Sequence, residues 1–444
     1  MTVPPVQMVA PHVVTRVKDG DLKQSQMVML GLGVILLAVS LGLGMTSHDP
    51  ARFYFSYLTG YMGVLGITLG ALFFTMVQHI TRAGWSVGVR RIAENVTAAI
   101  PVMALLYLPI AIGGFDHLYG HWAHAVIVPG EPNYDAIIAG KSSYLNKQFF
   151  FVRAGLYFAI WIALSTFFRK ASLKQDETGD PALSLRMSRL AAPGLLLFAL
   201  SITFAAFDWI MSLDPHWFST MFGICYFAGG FMSFLAFTAL LARWITKKGY
   251  LREVINTEHF HDIGKLMFAF MVFWTYTNFS QYMLIWYANL PEETVWFAHR
   301  KEGGWSSVGT ILVFGHFLVP FVFLMSRHIK RNGLTLSIGA AFLLVIHWVD
   351  MNYLVLPNFH GAHGEQGGDH AAHAVDPTTL TAAGHPPFGH DLGLWLHNMN
   401  LHDGLCYVGM LCLVAGITLM FVRKNNLVPL RDPRLPETLS FQNL

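Results

Sequence analysis

Charged residues are scarce in this chain. Asp, Glu, Lys and Arg make up only 12% of its 444 residues, and the formal net charge is +3. A soluble domain carries about 25% charged residues, so the composition excludes an ordinary soluble globular fold. The nearly balanced charge provides no strongly basic surface, and no nucleic-acid partner is expected.

Cysteine is scarcer still. The chain has three, Cys225, Cys406 and Cys412, and each lies inside an apolar run. No Cys-x-x-Cys or Cys-x-x-Cys-His sequence occurs. Iron–sulfur clusters and covalently attached haem depend on such spacings, so we expect this chain to bind neither. The three thiols are predicted to be buried core residues.

Long apolar runs dominate what is present. Hydrophobic residues make up 54% of the chain, and the mean hydropathy is +0.46. A membrane-spanning helix needs roughly 20 apolar residues, and runs of that length recur without the alternation of barrel strands. The sequence predicts an all-α polytopic membrane protein with about ten transmembrane helices. Their approximate ranges are 26–45, 53–79, 91–114, 147–170, 187–212, 216–244, 260–288, 305–327, 333–355 and 396–423.

Lys and Arg are distributed unevenly between the two sides of these helices. Most of the 29 fall in segments on the side of both chain ends. The opposite side holds only Arg52, Lys141, Lys147, Arg300 and Lys301. The positive-inside rule then predicts that residues 1–25 and 424–444 are cytoplasmic and that the domain 26–423 spans the membrane. The polar start favours a retained first helix over a cleaved signal peptide.

Two long outer loops are predicted, at roughly 115–146 and 356–395. The second is rich in histidine: His360, His363, His370, His373, His385 and His390. Loops of this length are usually functional, partner-binding or disordered. Metal chelation by this loop, or by His117, His121 and His124 in the first, remains an alternative to a solvated role.

A weak internal repeat links helices four apart. Phe55-Ser56 with Gly60 opens the second helix, and Phe218-Ser219 with Gly223 opens the sixth. The fifth and ninth helices each carry an Asp beside a Trp near the outer end. These matches predict two related four-helix bundles, at roughly 53–212 and 216–355, flanked by the first and last helices.

Ionisable residues inside the helices indicate where chemistry could occur. A charge in hydrocarbon costs at least ~2.5–3.5 kcal/mol, so it usually faces a partner or a polar cavity. At a rise of about 1.5 Å per residue, Arg153 lies roughly 9 Å below the outer surface. Six residues share this layer and are candidates for a catalytic pocket: Asp208, Arg153, His347, Asp350, His402 and Asp403. The alternative is a structural ion pair between Arg153 and Asp208.

A proton path is a further hypothesis. Glu94 and Asp262 lie near the inner boundary, and His316 lies near the membrane middle. Asp116 and His117 lie at the outer boundary of the third helix. Together these five residues could carry protons to the outer pocket. His316 and His347 are also the only candidate pair for haem b, without the second, layered pair that such proteins often have.

Three motifs resemble a known family. The first is Phe204–Gly223, which contains Asp208 and reads FAAFDWIMSLDPHWFSTMFG. The second runs from His261–Lys265 (HDIGK) through Phe273–Tyr287 (FWTYTNFSQYMLIWY) to NLPEET, and the third is His347-Trp-Val-Asp350. Together they resemble the second polysulfide-reductase-like (NrfD-type) membrane subunit of bacterial alternative complex III, a quinol:electron-acceptor oxidoreductase. The resemblance runs from the first helix to the tenth.

This resemblance implies a multi-pass protein of the bacterial inner membrane, with two four-helix bundles and two flanking helices. The implied partners are a homologous NrfD-type subunit, a periplasmic iron–sulfur protein, c-type cytochrome subunits and small membrane subunits. Haem c and iron–sulfur clusters would lie in those partners, and quinol or menaquinol would be the substrate. In the family, the quinol site is assigned to the other NrfD-type subunit, which implies a role here in assembly or proton transfer.

Two other function classes remain open. A secondary transporter often has inverted repeats, whereas the repeat here joins helices of the same orientation. A purely structural anchor for peripheral redox subunits would need no pocket at all. Of the candidate residues, Asp208, His347, Asp350 and Asp262 lie in the resembling motifs. The others, Arg153, Asp116, His117, His402, Asp403, Glu94 and His316, rest on depth and charge alone.

Overall fold

The computed structural model describes residues 15–47, 49–302, 304–359 and 388–442. The chain is 80% helical, and these residues form no β-strand, which confirms the all-α class. Most of the His-rich segment, residues 360–387, lies outside the described residues, as does the side chain of His390. The hypothesis of metal binding by that loop therefore concerns a part of the chain that is not described.

Long helices account for most of the described chain. Nine of them are long and apolar enough to cross a membrane. These are α1 (Lys23–Met45), α2 (Pro50–Ile80), α3 (Val87–Ala123), α4 (Lys147–Thr178), α5 (Pro181–Leu213), α6 (Phe222–Lys247), α8 (Trp305–Met325), α9 (Gly333–Asn358) and α10 (Leu401–Lys424). The long helix α7 (Thr257–Ala288) is more polar. Short helices are Ala136–Lys141, Pro291–His299, Arg327–Arg331, Phe388–Asn398 and Leu435–Leu439.

The positions of the chain ends indicate that the polar helix α7 is a tenth crossing. The described N- and C-terminal segments lie at the same end of the bundle, since Leu427 N–H donates to the Thr15 carbonyl over 2.8 Å. Arg423, at the end of α10, also donates to Gln26, at the start of α1. Nine crossings would place these segments at opposite ends, whereas ten bring them together. We call this the terminal end, and the opposite one the loop end.

The helices form two groups of four, with α2 and α6 meeting at the centre. Helices α3 to α5 contact α2, helices α7 and α9 pack on α6 with α8 against them, and α1 packs along α10, which also contacts α2. Gly66 and Gly230 allow the central contact: a Cβ on Gly66 would lie 3.0 Å from the Gly230 Cα. Small residues let membrane helices approach this closely. The arrangement matches the predicted pair of four-helix bundles with two flanking helices.

Two of the long helices contain a π-helical turn. These turns are Ile110–Gly114 in α3 and Leu312–Leu318 in α8. Because α3 continues through its turn to Ala123, the prediction that the first outer loop begins at residue 115 is wrong. Gly113 and Gly114 suggest a helix end in sequence, but the helix continues past them, and Tyr54 packs directly against both glycines.

Other boundaries shift by a few residues. Helix α3 begins at Val87 rather than at 91, and α6 begins at Phe222 rather than at 216. The three cysteines are buried and free, as predicted.

Candidate functional site

The six residues predicted to share one pocket fall into three clusters with different partners. Arg153 and Asp208 form the first, within the first bundle. His347 and Asp350 belong to the second, which also contains His316, in the second bundle. Asp403 and His402 belong to the third, where α10 meets α1 and α2. Residues that were predicted to lie at the same depth therefore do not line a single pocket.

The first cluster is a closed ion pair. Arg153 donates two hydrogen bonds to the Asp208 carboxylate, over 2.8 and 2.9 Å, and Tyr157 donates a third over 2.7 Å. Arg153 also donates to the Tyr144 carbonyl over 2.9 Å. Both charged side chains are buried. The predicted pairing of Arg153 with Asp208 is confirmed, and its geometry suits a structural tie between α4 and α5.

The third cluster is equally well satisfied. Arg52 donates to both oxygens of Asp403, over 2.9 and 2.6 Å, and Ser56 adds a bond of 2.7 Å. The His402 ring lies 3.1 Å from Ser40 Oγ. Asp403 also accepts from the backbone N–H of Asn400, so it caps the start of α10. Sequence reasoning missed Arg52 as its partner, although Arg52 is the first cation of α2 on the same side of the membrane.

The second cluster brings His316, His347 and Asp350 together from α8 and α9. Their ligand-type atoms all lie within 4.8 Å of one another, and each side chain is buried. Trp274 of α7 joins them: its indole N–H donates to Asp350 over 3.1 Å, and its ring stacks on His316 with centroids 3.6 Å apart. Sequence reasoning placed His316 on a path and His347 in a pocket; the structure puts them in one site.

What distinguishes this second cluster is its unmet hydrogen bonding. Neither ring nitrogen of His316 or of His347 makes a hydrogen bond of standard geometry with a described residue, although the backbone of Gly63 lies close enough to interact with the His347 ring. His347 Nδ1 is 4.0 Å from Asp350, beyond hydrogen-bonding distance. A buried polar group without a partner costs about 1–3 kcal/mol, so such groups need a functional explanation.

Local backbone features create this arrangement. His316 lies in the π-helical turn of α8, a feature that often occurs at functional sites. His347 fits against the crossing of α2 and α6, because glycine leaves room there. A Cβ at Gly229 would lie 3.2 Å from His347 Nδ1, and one at Gly66 would lie 3.9 Å from Nε2.

The remaining path candidates have partners near the two ends of the bundle. Glu94 contacts Arg90 and Arg91, each over 3.2 Å, in a buried network at the terminal end. This network extends to Asp176, which pairs with Arg91, and to Asp432 of the C-terminal segment, which pairs with Arg90. Burial alone would raise the pKa of Asp432, but Arg90 outweighs burial and holds that pKa below its usual range.

Asp262, Asp116 and His117 also have neighbours of their own. Asp262 pairs with Lys265 on the first turns of α7. Asp116 is largely exposed near Lys147, and His117 stacks on Tyr54. A path from these residues, or from Glu94, to His316 stays a prediction.

The second cluster could hold a metal ion. Trp274 occupies one face of His316, and His347 lies against Gly66 and Gly229 at the α2–α6 crossing. Two imidazoles with one carboxylate are a ligand set used for transition metals. Among the described residues, this is the group of three or more potential ligands that lies close enough to hold an ion.

Comparisons with known proteins give no match: no protein-family model matches this chain, and no curated protein matches it. The family resemblance therefore rests on the three motifs themselves.

Proposed function

We propose that this chain is a membrane subunit of a respiratory quinol:electron-acceptor oxidoreductase of the alternative complex III type. In this proposal it lies in the bacterial inner membrane with both termini in the cytoplasm. It has a scaffold role and transfers protons through His316, His347 and Asp350. Electrons pass through iron–sulfur and c-type haem partners, beside a homologous NrfD-type subunit and small membrane subunits.

Two of the resembling motifs meet in the second cluster. Trp274 belongs to the segment Phe273–Tyr287, and His347 and Asp350 delimit the HWVD motif. These segments are on different helices, yet their side chains are in contact. Three of the four residues of this cluster, Trp274, His347 and Asp350, therefore belong to the resembling motifs, while His316 does not.

The observation that supports the proton-transfer role is the set of four buried imidazole nitrogens, none of which makes a hydrogen bond of standard geometry, beside a buried carboxylate. A proton carrier must accept a proton and release it again, which histidine and aspartate do readily. The Arg153–Asp208 and Arg52–Asp403 pairs are less suited, because their carboxylates already accept several charge-assisted hydrogen bonds.

The test begins with purification from native membranes in mild detergent. Co-purified haem and iron–sulfur proteins are expected, and isolation of the chain alone with solute flux in vesicles would instead support a transporter. In the intact complex, His347→Leu and Asp350→Asn should slow proton-coupled quinol oxidation. Replacing His328, an exposed histidine outside the cluster, by Ala is the matched control. Unchanged coupling in both cluster variants would refute the proton-transfer role.

A further inference from the structure

We infer that His316, His347 and Asp350 form a binding site for a divalent transition-metal ion of the zinc class. Nothing in the sequence spacing indicates this site, since His316 is separated from the other two by a whole connection between helices. The inference depends on their spatial grouping, in which the three ligand-type atoms lie within 4.8 Å of one another.

The donor set selects the class of ion. Two imidazoles and one carboxylate suit Zn²⁺, Co²⁺ or Fe²⁺, whereas Mg²⁺ and Ca²⁺ prefer oxygen ligands alone. Tetrahedral coordination with bonds of about 2.0–2.1 Å places ligand atoms roughly 3.3 Å apart. Side-chain rotations that shorten the separations of up to 4.8 Å by about 1.5 Å would reach that geometry.

The cluster is prepared for an ion in two further respects. All four imidazole nitrogens are buried and none makes a hydrogen bond of standard geometry, so an ion bound through one nitrogen of each ring displaces at most the weak contact of His347 with the Gly63 backbone. Trp274 donates to one oxygen of Asp350 and so orients the carboxylate. Hydrogen bonds of this kind to ligating side chains tune many metal sites. The Asp350 charge would offset half of the charge of the ion.

A bound ion would also regulate the proposed function. This regulatory consequence rests on the proposed function, whereas the metal site itself does not. The ion would occupy the same nitrogen atoms that carry protons, because ligating histidines must be deprotonated. Zinc would therefore inhibit proton transfer through this chain.

The binding test uses the full-length chain, purified without a histidine tag and stripped with a chelator. Histidines 360, 363, 370, 373, 385 and 390 are replaced by Asn in every protein, so that the loop does not contribute. Cobalt(II) chloride is then titrated in, and visible absorption and bound metal per chain are measured. One ion per chain is expected, with absorption bands of a low-coordinate site.

Variants place the ion within the cluster. His316→Ala and His347→Ala should lose the cobalt bands, while His402→Ala, a buried histidine outside the cluster, should keep them. Trp274→Phe keeps a ring but loses the donor, and should weaken binding about 10- to 100-fold. His316→Cys restores a ligand and should add a sulfur-to-cobalt charge-transfer band, which also shows that position 316 tolerates substitution.

Two results would overturn the inference: no cobalt bands in the parent chain, or the same bands in His316→Ala and His347→Ala. Because this titration involves no turnover, it is independent of the proposed respiratory role. If cobalt binds as expected but zinc leaves proton-coupled turnover unchanged, the proposed proton transfer fails while the metal site stands.

Discussion

His347 Nδ1 lies 4.0 Å from Asp350 Oδ2, one helical turn away on α9. The two groups are close enough to interact electrostatically but too far apart for a hydrogen bond. By contrast, Arg153 and Asp208 are joined by bonds of 2.8 and 2.9 Å. This chain therefore contains both satisfied and unsatisfied buried polar clusters, and we expect them to respond differently to substitution.

Breaking the Arg153–Asp208 pair should destabilise the protein. Arg153→Ala or Asp208→Asn leaves a buried polar group without its partner, which costs about 3–5 kcal/mol. Thermal unfolding in detergent should show a lower midpoint for each single variant. The double variant Arg153→Met with Asp208→Leu should recover part of the loss. Single variants as stable as the parent would contradict a structural role for the pair.

Replacing His316 by Leu should have the opposite effect on stability. The imidazole has no hydrogen-bond partner, so an apolar side chain removes a buried penalty of about 1–3 kcal/mol. We expect unfolding at an equal or higher temperature, together with slower proton-coupled turnover and unchanged partner binding. A marked loss of stability would show that the histidine has a structural partner, and unchanged turnover would remove it from the proton path.

The contact between α2 and α6 should be sensitive to a single methyl group. A Cβ at Gly230 would lie 2.9 Å from the Gly66 Cα, which is backbone and cannot rotate away. Gly230→Ala should therefore cost about 1–3 kcal/mol in the free energy of unfolding. Gly31→Ala on α1 is the matched control, because nothing lies within 4 Å of its Cβ position. Equal stability of the two variants would show that the bundles do not meet there.

The outer loop should show a pH-dependent contribution from Asp135. Its carboxylate contacts His216 over 2.6 Å and accepts backbone hydrogen bonds from Ile137 and Ile138. Burial would raise the pKa of Asp135, but the Ile138 N–H and His216 outweigh burial and lower that pKa. A lowered pKa means that the stabilisation is present above about pH 4 and is lost as the pH falls through the folded-state pKa.

Two substitutions separate the charge from the helix cap. Asp135→Asn removes the charge but keeps a residue that can cap the helix Ala136–Lys141. Asp135→Ala loses both the cap and the charge, and should lower the free energy of unfolding by about 1 kcal/mol more than Asp135→Asn does. The difference in melting temperature between the parent and Asp135→Asn should shrink as the pH falls from 5 towards 3. A difference that does not change with pH would exclude the charged interaction.

The crossing of α7 can be tested by accessibility. The three native cysteines are first replaced by Ala. Single cysteines are then introduced at Glu253 or at Glu292, two exposed positions that flank this helix. A maleimide that cannot cross membranes should label Glu292→Cys from the outside of intact cells. Glu253→Cys should react only after the cells are opened. Labelling of both from the same side would contradict ten crossings.

Much of the fold was predictable from sequence because membrane insertion depends on each segment separately. Hydropathy and length predicted ten helices, of which nine meet the length and composition expected of a membrane crossing. The extension of α3 to Ala123 was missed, because the glycine pair at 113–114 suggested a helix end, whereas in the structure Tyr54 packs against both glycines and the helix continues. The predicted helix at 260–288 corresponds to α7, and the position of the two chain ends, rather than its apolar character, indicates that it crosses.

The sequence alone therefore determined the class of protein and the approximate ranges of its long helices, and it predicted a depth for each ionisable residue. Depth follows from counting along a helix at about 1.5 Å per residue. Which of these residues meet was decided only by the tertiary structure, because it depends on the direction of each side chain around its helix and on which helices are neighbours. The π-helical turn at His316 and the glycines at the α2–α6 crossing set those directions, and they bring His316, His347 and Asp350 into one buried cluster.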